Sequence, residues 1–272
     1  MSEVAWAELW NFEMSLFNPR TAIQHYVCQW TGIKPSLNGM INSSPWTSAP
    51  WTSDYIDITG NTEASPRFRT RTKMLWDDEY FYFAAEMEEP HVWTNISEKN
   101  AVVYWQNDWE IFIDPDGDGL NYYEFEVNAL NTIWELTLDK PYNRGGQATH
   151  PTNIDGLISA VYVDGTINDS SDLDRLQKYN INPPSRKTPP SVGDSWRVNF
   201  SRVEWPFRID KDGVYVRIPD ENRWDVHYED NWSWSSQGEI NMHIPEKWGV
   251  VVFAKEASEG TIRSELVDQS KS

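Results

Sequence analysis

The sequence predicts an all-β protein, an antiparallel β-sandwich of jelly-roll-like form with an N-terminal extension. Three observations predict it. From Tyr26 onward the chain runs in short apolar or alternating stretches broken by Gly, Pro, Asn and Asp. No segment in the middle of the chain combines helical periodicity with capping residues over ten or more positions. Two alternating runs are joined by Pro115-Asp116-Gly117-Asp118-Gly119, a link built of turn-forming residues, as in a hairpin. In chain order the strands are read at Glu79–Met87, Trp109–Asp114, Tyr122–Asn128, Ile133–Leu138, Leu157–Val163, Trp196–Val203 and Trp248–Phe253. Ser170–Ser191, rich in Pro, Ser and Asn, reads as a long loop.

These elements fall in one domain, residues 25–258, flanked by an extension (1–24) and a C-terminal tail (259–272). In the extension Trp6, Trp10 and Met14 stand at helical spacing, which fits a short amphipathic helix or an extended arm. With 39 % hydrophobic residues in 272, the chain can bury a sizeable core. No stretch approaches the ~20 apolar residues of a membrane-spanning helix. Glu3, Glu8 and Glu13 interrupt any apolar signal core, so an exported protein of this sequence would have shed its leader already. A net charge of −19 argues against nucleic acid as a partner, because each phosphate contact calls for Lys or Arg, while neutral sugars stay compatible. The single cysteine, Cys28, has no partner for an internal disulfide and reads as core packing.

Sixteen tryptophans are the strongest compositional signal. An indole is either core filling or a flat platform for a ligand. Trp76, Trp134, Trp196 and Trp248 sit within or beside strands and read as core. Trp93, Tyr104, Trp105, Trp232 and Trp234 lie near strand ends or in loops beside Asn, Gln or Ser, where a ring meets solvent more readily. A sugar's C–H face stacks on such a ring while its hydroxyls take up nearby amides and acids. In the hairpin, alternation places Glu110 and Phe112 on one face, and Glu124, Glu126 and Asn128 on one face, with Tyr123, Phe125 and Val127 towards the core. Carboxylates gathered beside aromatic rings accept paired sugar hydroxyls, and Arg197 on the polar side of its strand could grip ring hydroxyls or, more commonly for such an arginine, neutralise the glutamates across the sheet. Paired carboxylates such as Glu110 and Glu126 also keep open an alternative, a xylanase-like glycoside hydrolase. Asp114, Asp116 and Asp118 alternate with glycines in the manner of the first half of a calcium loop, although position twelve is Phe125 rather than Glu.

Four blocks, MLWDDEYFYFAAEMEEP, NDWEIFIDPDGDGLNYYEFEVNALNTIWELTL, WRVNFSRVEW and NWSWSSQGEINMHIPEKWGVVVF, resemble in order the family 9 carbohydrate-binding modules, over about Tyr26 to Lys255. The resemblance implies a non-catalytic β-sandwich that binds a plant-type polysaccharide or oligosaccharide, xylan or β-glucan among them. It further implies a glycoside hydrolase as partner, structural Ca2+ and export from the cell. In the family two tryptophans clasp the sugar. Tyr104 or Trp105 stands at the first of these places, and Glu110 at a sugar-contacting position. The second place falls on Met242, so Trp232 or Trp234 would have to supply that ring. The family's strand after the Asp-rich segment, here Ser171-Asp172-Leu173-Asp174, has no counterpart in the pattern of Arg175–Lys187, and a core strand is expected to be missing or replaced there. The expected ligand-contacting set is therefore Tyr104, Trp105, Glu110, Glu126, Arg197, Trp232 and Trp234.

Overall fold

A computed structural model describes residues 22–255, apart from 153, 155, 173–175, 183–189 and 220–227. Nearly all regular structure is strand. The first five are β1 (His25–Trp30), β2 (Ile56–Asp57), β3 (Thr70–Trp76), β4 (Phe81–Glu88) and β5 (Asp108–Asp114). They are followed by β6 (Tyr122–Val127), β7 (Ile133–Leu138), β8 (Ala148–Thr149), β9 (Ile158–Val163) and β10 (Leu176–Asn182). The last five are β11 (Ser195–Glu204), β12 (Phe207–Ile209), β13 (Tyr215–Arg217), β14 (Asp230–Ser233) and β15 (Gly249–Ala254).

The main ladder runs β8-β7-β6-β5-β11-β15-β1-β3-β4-β10-β9, with β14 and β2 branching from β11. Most neighbours are antiparallel as expected, but β1 runs parallel to both β15 and β3, so the sheet is mixed. The sandwich arises because this ladder folds over on itself. Phe83 of β4 and Phe200 of β11, several strands apart in the ladder, meet with ring centroids 5.5 Å apart, and Phe81 meets Trp196 at 5.6 Å. Between the layers lie Cys28, Met74, Trp76, Trp109, Ile111, Phe125, Val127, Val251 and Phe253, which are buried. Each contributes about 1.5–3 kcal/mol of burial according to size.

All seven segments read as strands from the sequence are strands. The stretch 170–191 is not a plain loop. Leu176–Asn182 forms β10, paired with β4 and β9, so the strand expected to be lost is present in spite of its pattern. Both faces of β3 are largely buried although it reads TRTKMLW. Its polar atoms are matched internally: Tyr55 and Thr72 share a hydroxyl hydrogen bond, and the Lys73 ammonium donates to the Trp46 carbonyl at 2.8 Å. Cys28 is fully buried, as its surroundings in the sequence suggest. Of the extension, residues 1–21 lie outside the described residues, as does the tail from 256.

Candidate functional site

The outer face of β5, β6 and β7 forms the floor of a cleft. Register fixes its chemistry: Glu110 lies opposite Glu126 and Phe112 opposite Glu124, while Trp134 and Leu136 of β7 lie beside Glu126 and Glu124. The hairpin that aligns them turns at Gly117 and Gly119, whose φ angles of 69° and 75° suit glycine and few other residues. The opposite faces of these strands hold Ile111, Phe125 and Val127 in the core, which pins the acids outward.

Other segments add to this floor. The cleft, of about 450 Å3, is lined by the rings of Tyr104, Trp134 and Tyr142 and by the polar side chains of Asn231, Asn241 and His243. Tyr104 is wedged between Trp105 (6.1 Å, 19° between planes) and Trp134 (5.4 Å, 38°). The Trp134 indole N–H points at the His150 ring, 2.6 Å from Nδ1, which holds its plane. The segment carrying Asn241 and His243 is tied down by Trp248, whose indole N–H donates to the Met242 carbonyl at 2.7 Å. His243 Nδ1 lies 3.0 Å from the Tyr122 hydroxyl, and Tyr142 packs edge-on against its ring at 4.5 Å. Burial lowers the His243 pKa to about 4, so the imidazole is neutral at physiological pH.

The floor is densely acidic. Asp108, Glu110, Glu124 and Glu126 are 2, 7, 4 and 1 % exposed. Burial pushes the Glu110 carboxyl up to about 7, against the pull of the Ser201 hydroxyl that donates to it. Asp108, Glu124 and Glu126 are raised well above the ordinary carboxylate range, first by burial and then by repulsion from one another or from Glu110. Among the described residues none of the four pairs with Lys or Arg; the nearest positive candidate, His243 Nε2, is 3.8 Å from Glu124 and neutral.

Of the residues expected from the sequence, the structure gathers Tyr104, Glu110 and Glu126 in the cleft. Trp105 is half-buried behind Tyr104, where the Arg217 guanidinium lies 5.3 Å from its ring and donates to its carbonyl at 2.9 Å. Three expectations are corrected. Trp232 and Trp234 are 3 % and 1 % exposed. They do share a face, but it is the core face: Trp232 packs against Phe68 and Arg202, and Trp234 against Phe200 and Gly249. Arg197 pairs in register with Asp114, whereas Ser201 faces Glu110. Four residues of extended strand, about 13 Å, separate it from the cleft. There its guanidinium donates to the Trp248 carbonyl at 3.0 Å.

Trp134, read from the sequence as core, lines the cleft instead, together with Tyr142. The signal for Trp134 was its parity along β7, which puts it on the Glu126 face once the hairpin register is known. Tyr142 lies on a short turn, Tyr142–Arg144, and carries no such signal.

At the far end of the hairpin, one carboxylate oxygen from each of Asp114, Asp116 and Asp118 lies within 4.8 Å of the others. Asp114 is buried and accepts the backbone N–H of Gly117 at 3.1 Å and of Gly119 at 2.8 Å. Burial raises its pKa to about 6. Its second lone pairs and the exposed Asp116 and Asp118 form a hard-oxygen set suited to Ca2+.

Residues 37–155 match the family model described as carbohydrate family 9 binding domain-like. Endo-1,4-beta-xylanase C of Paenibacillus barcinonensis is 33 % identical over 90 residues, which is 33 % of this chain and 8 % of that enzyme. Endo-1,4-beta-xylanase A of Thermoanaerobacterium saccharolyticum is 26 % identical over 126 residues, 46 % of this chain and 9 % of the enzyme. The chain thus spans less than a tenth of the curated relatives it matches. A family 9 carbohydrate-binding module from Caldicellulosiruptor kristjanssonii, solved with cellotriose, superposes with a TM-score of 0.56 at 15 % identity, covering 87 % of this chain and 97 % of that one. A family 9 module from the same organism solved with glucose gives 0.55 at 15 % identity, covering 86 % of this chain and 98 % of that one. The fold is shared along almost the whole module, and residues 37–155 match the carbohydrate family 9 binding domain-like model.

Proposed function

We propose that the chain is a non-catalytic sugar-binding domain, and that the cleft over β5–β7 takes one end of a β-glucan or xylan chain. The observation that carries this is the combination of Tyr104, Trp134 and Tyr142 as apolar walls above a floor of oxygen acceptors. A pyranose presents flat C–H faces and a rim of hydroxyls, and such a cleft meets both. Glu110 and Glu126 would accept vicinal hydroxyls, and Asn231 and Asn241, which also line the cleft, would supply donors.

The non-catalytic reading is supported by the match to a carbohydrate-binding family model. Glycosidase carboxyls flank the scissile bond, about 5–5.5 Å or 6.5–9.5 Å apart. Here Glu110 and Glu126 are cross-strand neighbours on one surface, with one oxygen of each within 4.8 Å of the other, a spacing that the shorter glycosidase separation also allows, so the assay below separates the two readings. Calcium would be held by Asp114, Asp116 and Asp118, where it would stiffen the hairpin that aligns the floor. Export and association with a glycoside hydrolase accord with the xylanase relatives. Among the described residues no helix is long and apolar enough to cross a membrane.

The test is calorimetric titration of cellotriose and xylotriose, alongside a search for newly released reducing ends. Saturable binding without release is the expected result. Release of reducing ends that is lost in Glu110→Gln would favour the hydrolase, and no heat with any oligosaccharide would overturn the sugar reading.

A further inference from the structure

The cleft floor holds more negative charge than hydroxyl recognition requires. Asp108, Glu110 and Glu126 each place one carboxylate oxygen within 4.8 Å of the other two. Glu110 Oε2 accepts the Ser201 hydroxyl, yet both oxygens of Asp108 and Oε2 of Glu126 accept no hydrogen bond among the described residues. Asp108 is 2 % exposed and extends into this group from the first residue of β5. The arginine nearest along β11, Arg202, belongs to the other face and is engaged by Glu89 at 2.6 Å and Glu204 at 2.8 Å. A buried, unsatisfied carboxylate costs several kcal/mol unless a proton or a cation offsets it.

We propose that Asp108, Glu110 and Glu126 form a site for a hard divalent cation of the Ca2+ type in the floor of the cleft, separate from the Asp114–Asp118 hairpin. The size fits. Calcium–oxygen bonds of about 2.3–2.6 Å allow ligand oxygens on one ion to stand up to about 5 Å apart, whereas the shorter bonds to Mg2+, about 2.0–2.1 Å, require a tighter cage. Three carboxylates fill only part of a sphere of 6–8 oxygens. The remaining positions open towards the cleft, where vicinal hydroxyls of a sugar would complete them in exchange for water. This second step rests on the sugar-binding reading; the cation site itself does not. It also gives Asp108 a role, since that residue lies too deep to line the cleft.

Calcium is titrated calorimetrically into chelator-stripped full-length chain carrying Asp116→Asn, which weakens the hairpin site, and into the same chain with Asp108→Asn or Glu126→Gln added. Saturable binding in the first, weakened at least about 10-fold by either addition while thermal unfolding stays cooperative, is expected. Two isosteric changes on different strands guard against one failing to fold. Absence of a binding event in the Asp116→Asn chain, or equal affinity in all three, overturns the cation site. Cellotriose is then titrated into the Asp116→Asn chain with Ca2+ and with chelator. Affinity at least about 10-fold weaker in chelator is expected. Equal affinity in both would overturn the contact between cation and sugar. Calcium bound as expected with no cellotriose heat in either would leave the cation site standing and sink the sugar reading alone.

Discussion

Replacing Glu110 by Gln should stabilise the protein at alkaline pH while impairing sugar recognition. Glu110 sits at the centre of the floor, opposite Glu126 and beside Ser201. Burial moves its pKa from the ordinary 4.5 to about 7, with the Glu229 charge adding to the rise. The folded state thus holds this proton more tightly than the unfolded chain does. Its stabilising contribution is complete below about pH 4.5 and is lost as pH rises through about 7. At about 1.4 kcal/mol per pKa step, the displacement from 4.5 to about 7 amounts to about 3 kcal/mol. The amide that replaces the carboxyl has no proton to lose, keeps the shape, and still offers Ser201 an acceptor. In chelator, where no cation offsets the charge, urea unfolding followed by Trp fluorescence should give similar stabilities at pH 5. At pH 8.5 the variant should be more stable by about 3 kcal/mol. Relief of Asp108, Glu124 and Glu126 from the repulsion of that charge adds to the gain. A difference between variant and wild type that is the same at both pH values would refute the reasoning.

Other outcomes follow from the same geometry. Trp134→Ala should weaken cellotriose binding by about 1–2 kcal/mol, roughly 10-fold, by removing one aromatic wall, and calorimetry reads it directly; unchanged affinity would move the sugar elsewhere. Trp234→Ala should cost about 3–5 kcal/mol in urea unfolding, as a large core deletion does, and a loss below about 1 kcal/mol would contradict its burial. Gly249→Ala should destabilise as well, because its new Cβ would overlap the Trp234 ring, and overpacking of this kind costs about 1–3 kcal/mol. Chelator should lower the melting temperature of the wild-type chain, and Asp116→Asn should shrink that response; an identical response in both would remove the hairpin as a calcium holder.

The hairpin was legible because two independent signals agreed. Alternation set the face of each residue and the Asp/Gly turn marked a hairpin, so Glu110 and Glu126 could be expected near one another, and the structure adds the register that sets them opposite. What sequence parity does not carry is which layer lies on either side of a strand. Trp232 and Trp234 stand among Ser, Asn and Gln and look solvent-facing. Yet their cover comes from Phe68, Arg202, Phe200 and Gly249, on separate parts of the chain. β3 stayed hidden for a related reason: its Thr and Lys side chains are satisfied by Tyr55 and the Trp46 carbonyl rather than by water, so a buried strand carries a polar text. Arg197 was misplaced along its strand, not across it. It has the same parity as Ser201 but stands four residues too far from the acids.

The parallel pairing of β1 with β15 governs how this domain would respond to being pulled. His25 lies opposite Val250 and Gln29 opposite Ala254, so the chain enters β1 at one end of the ladder and leaves β15 at the other. Tension between those two points slides the strands lengthwise and loads their interstrand bonds together, in shear. An antiparallel pair would place entry and exit at the same end and peel apart one bond at a time.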